Sequence, residues 1–333
     1  MGATSKRHRT WVPAAAAVIV TWGMLGLFSG TNAGYTDALF QPDYTILYAP
    51  EGSPLDEAGF QIGDSVVTVE GIPVVELGMY SRWPRSLLRR PGESLTMVVE
   101  REGALVSGDI VYRERSSGGL KMRLGGAVIV LSFVGFGLWA LFTLPTPHAQ
   151  RLAYIGLALA AALPGPYLGT WTGVRDHISI AAMVLWTLLL LRFFLLFPKP
   201  KRVGESRFAT GVIFGAWVVL VCCLVLELIF HPRFYHTFAP LYGLSMFGYA
   251  ALAVVALVHT AVKTPREELR ESGMSIILLG VAVALVPTLV AAIDWMFLWD
   301  FDIPGSSYFP LLLGVIPLAM ALGVRKQAKA GQT

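Results

Sequence analysis

The sequence predicts an α-helical polytopic membrane protein of about eight transmembrane helices, with a small water-facing α+β module between the first and second. Three observations predict it. Hydrophobic residues make up 55% of the chain and charged residues only 14%, against ~25% charged in soluble domains. Uncharged runs of ~20 residues, long enough to cross ~30 Å of hydrocarbon, recur along the chain. The stretch 34–119 breaks that pattern with short alternating strands, turn residues and a higher density of charge.

The apolar runs place spans at about 12–30, 122–144, 150–170, 177–197, 208–230, 238–262, 273–298 and 307–324. Lys and Arg then set orientation. Lys6, Arg7 and Arg9 precede the first span; Arg151, Lys199, Lys201, Arg202 and Arg207 fall between later ones; Lys263, Arg266 and Arg270 fill another loop, and Arg325, Lys326 and Lys329 a tail. With eight spans all of these share one side, and the opposite short loops hold only Arg175 and Arg233. Both ends are therefore expected in the cytoplasm of a bacterial cell, with 34–119 outside. The expected organisation is 1–33 as N-terminus and first helix, 34–119 as the exterior domain, 120–324 as a seven-helix bundle and 325–333 as a basic tail. A second reading makes 1–33 a cleaved signal peptide, which leaves the exterior domain where it is. The basic pI is explained by this topology, so no nucleic-acid partner is expected, and the lipid bilayer is. Cys222 and Cys223 are adjacent in an apolar run, a poor geometry for a mutual bridge.

Within the exterior stretch, "DYTILYA" alternates as a strand does. In "GSPLDEAGF", Ser53 and Pro54 start a helical turn and Gly59 ends it in the left-handed region. "QIGDSVVTVEGIPVV" reads as a turn at Gly63-Asp64, a strand over Ser65–Val69, a tight turn at Glu70-Gly71 and a short strand. "SRWPRSLLRR" reads as a helix stopped by Pro91-Gly92, and the segment after it as a hairpin turning at Glu102-Gly103. Arg82, Arg85 and Arg89 share one face of that helix, open to an acidic or lipid partner or to plain solvent.

Ser53-Pro54, Ala58-Gly59, Gly63-Asp64, Val66, Gly71, Pro73-Val74 and Pro91-Gly92 together resemble a bacterial PDZ domain covering most of 34–119. The resemblance implies a groove that takes an extended peptide or protein C-terminus as an added strand beside a helix. It puts the groove helix at about 82–90 with Leu87 or Leu88 facing the peptide, the receiving strand at Tyr44 and Ile46, and the carboxylate loop at Gly34-Tyr35. A domain that packs or transmits without binding peptide is the other reading.

The helix end "LRFFLLFPKPKR" (191–202) and the closing "IPLAMA" (316–321) resemble the membrane input half of competence-type (quorum-sensing) sensor histidine kinases, which carry an exterior PDZ-like domain after the first span. Only a short basic tail follows the last span, so the expectation is a sensor read by a separate cytoplasmic signalling partner, or a shortened form of such a kinase. A non-signalling adaptor for envelope proteins and, more weakly, a small-molecule transporter are the alternatives.

Ionisable residues near the outer ends of spans are candidate sites because they are costly in hydrocarbon. Arg175 and His177, expected in one outer loop, Glu227 and His231, and Asp294 could line an outward-facing pocket; interfacial anchoring beside Trp and Tyr is the competing reading. No His-Glu-x-x-His zinc motif, no paired intramembrane aspartates and no activated serine with a base in reach are found. No enzyme activity, cofactor or metal is expected.

Overall fold

The computed structural model describes residues 3–28, 39–40, 44–49, 51–76, 89–113, 117–163, 172–230, 235–297 and 311–330. The chain forms two compact units, one of residues 28–121 and the other of 1–27 with 122–333.

The strand-rich unit contains β1 (Leu39–Phe40), β2 (Ile46–Tyr48), α2 (Pro54–Glu57), β3 (Ser65–Val69), β4 (Ile72–Pro73), β5 (Ser94–Arg101) and β6 (Ala104–Val111). The last four make one antiparallel sheet in the order β4-β3-β5-β6. Its two hairpins turn on Glu70-Gly71 and Glu102-Gly103, with positive φ at all four residues. That is the type I′ geometry whose twist matches the strands it joins. The turn α2 is capped at both ends. Ser53 Oγ accepts from Asp56 N at 3.3 Å, and Asp56 Oδ2 accepts from Gly52 N at 2.8 Å. At the other end Phe60 N donates to Leu55 O at 3.0 Å and Gly59 N to Asp56 O at 2.9 Å, with Gly59 at φ +83°; this is a Schellman motif with its Leu55–Phe60 apolar contact. Leu95, Met97 and Val99 alternate inward from β5 onto Ile46, Leu55, Phe60, Val66 and Ile110. Gly108 on β6 is where α2's end comes down: a Cβ there would lie 2.5 Å from the Ala58 carbonyl oxygen.

One ion pair closes this unit. Asp64 is 2% exposed and accepts twice from Arg101, Nε to Oδ1 at 2.8 Å and Nη2 to Oδ2 at 2.7 Å. Gln61 N donates to the same carboxylate at 2.7 Å. The Arg101 hydrogen bonds, aided by the Gln61 amide, hold the Asp64 carboxyl below its ordinary range against the opposing effect of burial.

The second unit is a helical membrane bundle. Among the described residues its longer helices are α1 (Ala3–Phe28), α3 (Ser117–Thr143), α4 (Pro147–Ala161), α5 (Thr172–Leu196), α7 (Arg207–Phe230), α8 (Tyr235–Lys263), α10 (Met274–Phe297) and α11 (Val315–Ala330); α6 (Arg202–Glu205) and α9 (Arg266–Glu271) are short connectors. Among the described residues, five helices are long and apolar enough to cross a membrane, and α1 and α10 carry shorter apolar stretches. Ser132, Thr143, Thr187, Thr260 and Thr288 each donate to a carbonyl of their own helix, so their hydroxyls cost little in hydrocarbon.

Small residues set the helix pairs. A Cβ on Gly280 would stand 2.2 Å from Ala319 Cβ, and one on Gly273 2.4 Å from the Gly323 carbonyl oxygen, so α10 and α11 touch backbone to backbone. Gly156 against the Phe133 carbonyl does the same for α4 and α3, at 2.7 Å. Apolar lipid gives helices no hydrophobic reason to associate, and close small-residue packing supplies the contact instead. The helix α5 packs on α4, α7 and α8.

Two helix ends differ from the sequence reading. The helix α5 starts at Thr172, so Arg175 and His177 lie on a helix rather than in a loop, and α11 runs through Arg325, Lys326 and Lys329 to Ala330. Hydropathy marks the hydrocarbon slab, whereas a helix continues until its hydrogen-bond ladder is broken.

Two outcomes follow from this packing. Gly280→Leu overpacks α10 on α11 and lowers stability by about 2 kcal/mol, read as a lower melting temperature in detergent. Gly215→Leu, at a site with nothing within 4 Å of an added Cβ, leaves melting unchanged. Because the folded Asp64 pKa is lowered, the pair's contribution is complete above the unfolded carboxylate value of ~3.9 and is lost as pH falls through the lower folded value. Asp64→Asn reduces hydrogen-exchange protection of the β5 amides at pH 7 by about 2 kcal/mol and removes the acid-dependent loss seen in the parent.

Candidate functional site

The expected peptide groove is altered at its receiving strand. Tyr44, at φ +69°, packs half-buried against the sheet core. Ile46 is fully buried, so its side chain belongs to the core and cannot line a groove. Its backbone is occupied too: Ile46 N donates to Asp64 O at 2.8 Å and Ile46 O accepts from Gly63 N at 2.9 Å, while Val66 N donates to Tyr44 O at 3.1 Å. Along its other edge β2 pairs antiparallel with β1, Phe40 opposite Ile46 and Leu39 opposite Tyr48. A strand has two edges, and both are taken over this stretch. The sequence pattern of β2 carries no sign of this, because alternation reports faces and not edges. Gly34, Tyr35, Leu87 and Leu88 lie outside the described residues.

The expected outer pocket is placed by backbone alone. The helices α4 and α3 pack antiparallel, with Gly156 at Phe133 and Gly137 at Ala153, and so do α11 and α10, with Gly280 at Ala319 and Gly273 at Gly323. The helices α7 and α5 do so as well, with Arg192 over the Phe214 ring and Trp217 Nε1 donating to Ala181 O. The α5 start bearing Arg175 and His177, the α7 end bearing Glu227 and the α10 end bearing Asp294 therefore share one end of the bundle. His231 lies outside the described residues.

At the opposite end, described side chains converge. The helix α5 ends in "RFFLLFP" with a cis Phe197–Pro198 peptide bond. Phe193 and Phe197 stack at 5.2 Å between centroids, and the His148 ring meets both edge-on at 6.2 and 5.2 Å. Arg151 Nη1 stands 3.0 Å from His148 Nδ1; a guanidinium can only donate, so Nδ1 is an acceptor here. The last carbonyls of α5 are taken by one residue: Lys201 Nζ donates to Phe194 O at 2.6 Å and Lys201 N to Leu195 O at 2.9 Å. A cation suits this negative end of the helix dipole. Burial lowers the Lys201 pKa.

The last helix is tied into the same cluster. Gln327 Nε2 donates to Pro198 O at 2.6 Å, and the Arg325 guanidinium sits over the Trp139 ring at 5.8 Å. Lys199 pairs with Glu268 on α9 at 2.5 Å, an exposed contact worth little energy that shows α9 lying beside the loop. Segments 144–147, 197–206 and 264–273 and the α11 end thus gather at one end of the bundle. Comparison with protein-family models, with curated proteins and with solved structures finds no match to this chain. Among the described residues no cluster of three or more His, Cys, Asp or Glu could hold a metal ion.

Sequence reasoning named the basic loops and "FPKPK" but missed His148, Trp139 and Gln327. Trp139 near a span end carries an aromatic-belt signal; Gln327 carries none, since a contact to Pro198 leaves no periodic trace.

The α11 tie is testable by itself. Gln327→Ala removes a hydrogen bond worth about 1 kcal/mol, so amides 325–330 exchange faster while the melting temperature of the bundle changes little. Unchanged exchange there shows that the tie does not hold the α11 end.

Proposed function

We propose that this protein is a membrane sensor module: an extracytoplasmic PDZ-like unit meets a peptide or protein, and a separate cytoplasmic partner reads the basic end of the bundle. The observation that carries the proposal is the tie of Gln327 and Arg325 to the α5 end and to Trp139. It makes the position of the last helix depend on the packing of α3 and α5. The chain enters the strand-rich unit from α1 and leaves it into α3, and α1 packs on α3 and α4 through Val12, Leu141 and Ala153. A ligand held more tightly in one packing state than another shifts the bundle, and only by that difference in affinity.

The PDZ-like reading is supported by the capped turn at 53–60 and by the type I′ turn at Glu70-Gly71, which stand at motif positions. The occupied edges of β2 add a condition: a peptide that joins β2 displaces β1. The positive-inside bias supports a cytoplasmic basic end in a bacterial inner membrane. In this reading the chain binds and transmits and does no chemistry.

A photoreactive residue replacing Leu47 on β2, 50% exposed, tests the proposal in intact cells carrying the full chain. The expected result is an adduct with a separate polypeptide, absent when the residue replaces Leu105 on β6 instead. Adducts confined to the protein itself at both positions contradict a binding role.

A further inference from the structure

The helices α3 and α11 run side by side in the same direction. A Cβ on Gly125 would lie 3.2 Å from Leu311 Cδ2, and one on Gly314 3.2 Å from Ser132 Oγ. Between this contact and Arg325 over Trp139 lies a groove of about 500 Å³, walled by Val128, Leu131, Phe136, Leu318 and Leu322 and ending at Trp139. The one hydroxyl on its wall, Ser132, already donates to Val128 O at 2.8 Å. An occupant that fits these walls is apolar along most of its length.

Three features say what that occupant is. From Val128 to Trp139 the groove follows α3 for about 16 Å at ~1.5 Å per residue. That is close to half of the ~30 Å hydrocarbon thickness, the depth of one lipid leaflet. Its Trp139 end is aromatic and lies beside a cation, with the Arg325 guanidinium 5.8 Å from the Trp139 ring. Neither α3 nor α11 contains an acidic residue, and Lys326 and Lys329 follow Arg325 on the same helix. A second copy seated here in register would bring its own Arg325, Lys326 and Lys329 against these with no carboxylate on either helix to offset them.

We propose that this groove binds one anionic phospholipid, its acyl chain along Val128–Trp139 and its phosphate on Arg325. Apolar fit supplies affinity for any lipid chain, and the arginine supplies preference for negative charge. The bound lipid bridges α3 to the helix whose end is tied to the α5 loop, so the lipid composition of one leaflet bears on the same element.

The full chain in neutral detergent, titrated with phosphatidylglycerol or phosphatidylcholine and followed by native mass spectrometry, tests this. One phosphatidylglycerol is expected to bind about fivefold tighter than phosphatidylcholine, the worth of a single interfacial cation. Arg325→Gln abolishes that preference and Arg325→Lys keeps most of it. Gly135 lines the groove and has nothing within 4 Å of an added Cβ, so Gly135→Leu fills the groove, reduces binding of both lipids and leaves the melting temperature intact. Equal binding of the two lipids by the parent, or full lipid binding by Gly135→Leu, overturns the proposal. So does stabilisation by inorganic phosphate equal to that by phosphatidylglycerol, or ready disulfide dimerisation of Gly135→Cys.

Discussion

The contact on which the rest depends is the backbone-to-backbone approach of α10 and α11 at Gly273–Gly323 and Gly280–Ala319. In a bilayer no water is expelled when helices meet, so the gain comes from many short dispersion contacts and falls away quickly with distance. A side chain at either glycine would push α11 outward. With α11 held close, its polar end reaches over the bundle, and Gln327 meets Pro198 while Arg325 meets Trp139. The glycines thus set the geometry of the ties at the α11 end.

The strand-rich unit solves a different problem by different means. In water its core of Leu95, Met97, Val99, Ile46 and Phe60 gains from burial itself. The buried charge of Asp64 is tolerated because Arg101 and the Gln61 amide satisfy it; without them it would be an unpaired buried carboxylate. The same network fixes Gly63 and Asp64 against β2, and this is why Ile46 has no free backbone group to offer a ligand.

Local features were legible in the sequence because they rest on local physics. The type I′ turns at Glu70-Gly71 and Glu102-Gly103, the Ser53 cap and the Gly59 stop each need particular residues at particular φ, and the residues announce them. The five helices long and apolar enough to cross a membrane, among the described residues, were legible for the same reason, since the bilayer imposes a length. What could not be read were pairings between distant residues. Nothing near Gln327 points to Pro198, nothing near Gly280 points to Ala319, and nothing in "YTILY" says that β1 will take its open edge. The ends of α5 and α11 were misplaced because polarity marks where a helix leaves hydrocarbon, not where it stops.

The proposed sensing role requires that the strand-rich unit and the tied basic end face opposite sides of one membrane. Single cysteines at Gly103 and at Lys199, in a chain with Cys222 and Cys223 replaced by serine, can be probed with a membrane-impermeant maleimide in intact and in opened cells. Gly103 lies in an exposed turn and Lys199 is 76% exposed at its side chain, so both react when reached. The expected result is labelling at position 103 in intact cells and at position 199 only after opening. Labelling of both positions from the same side contradicts the topology and the sensing role that depends on it.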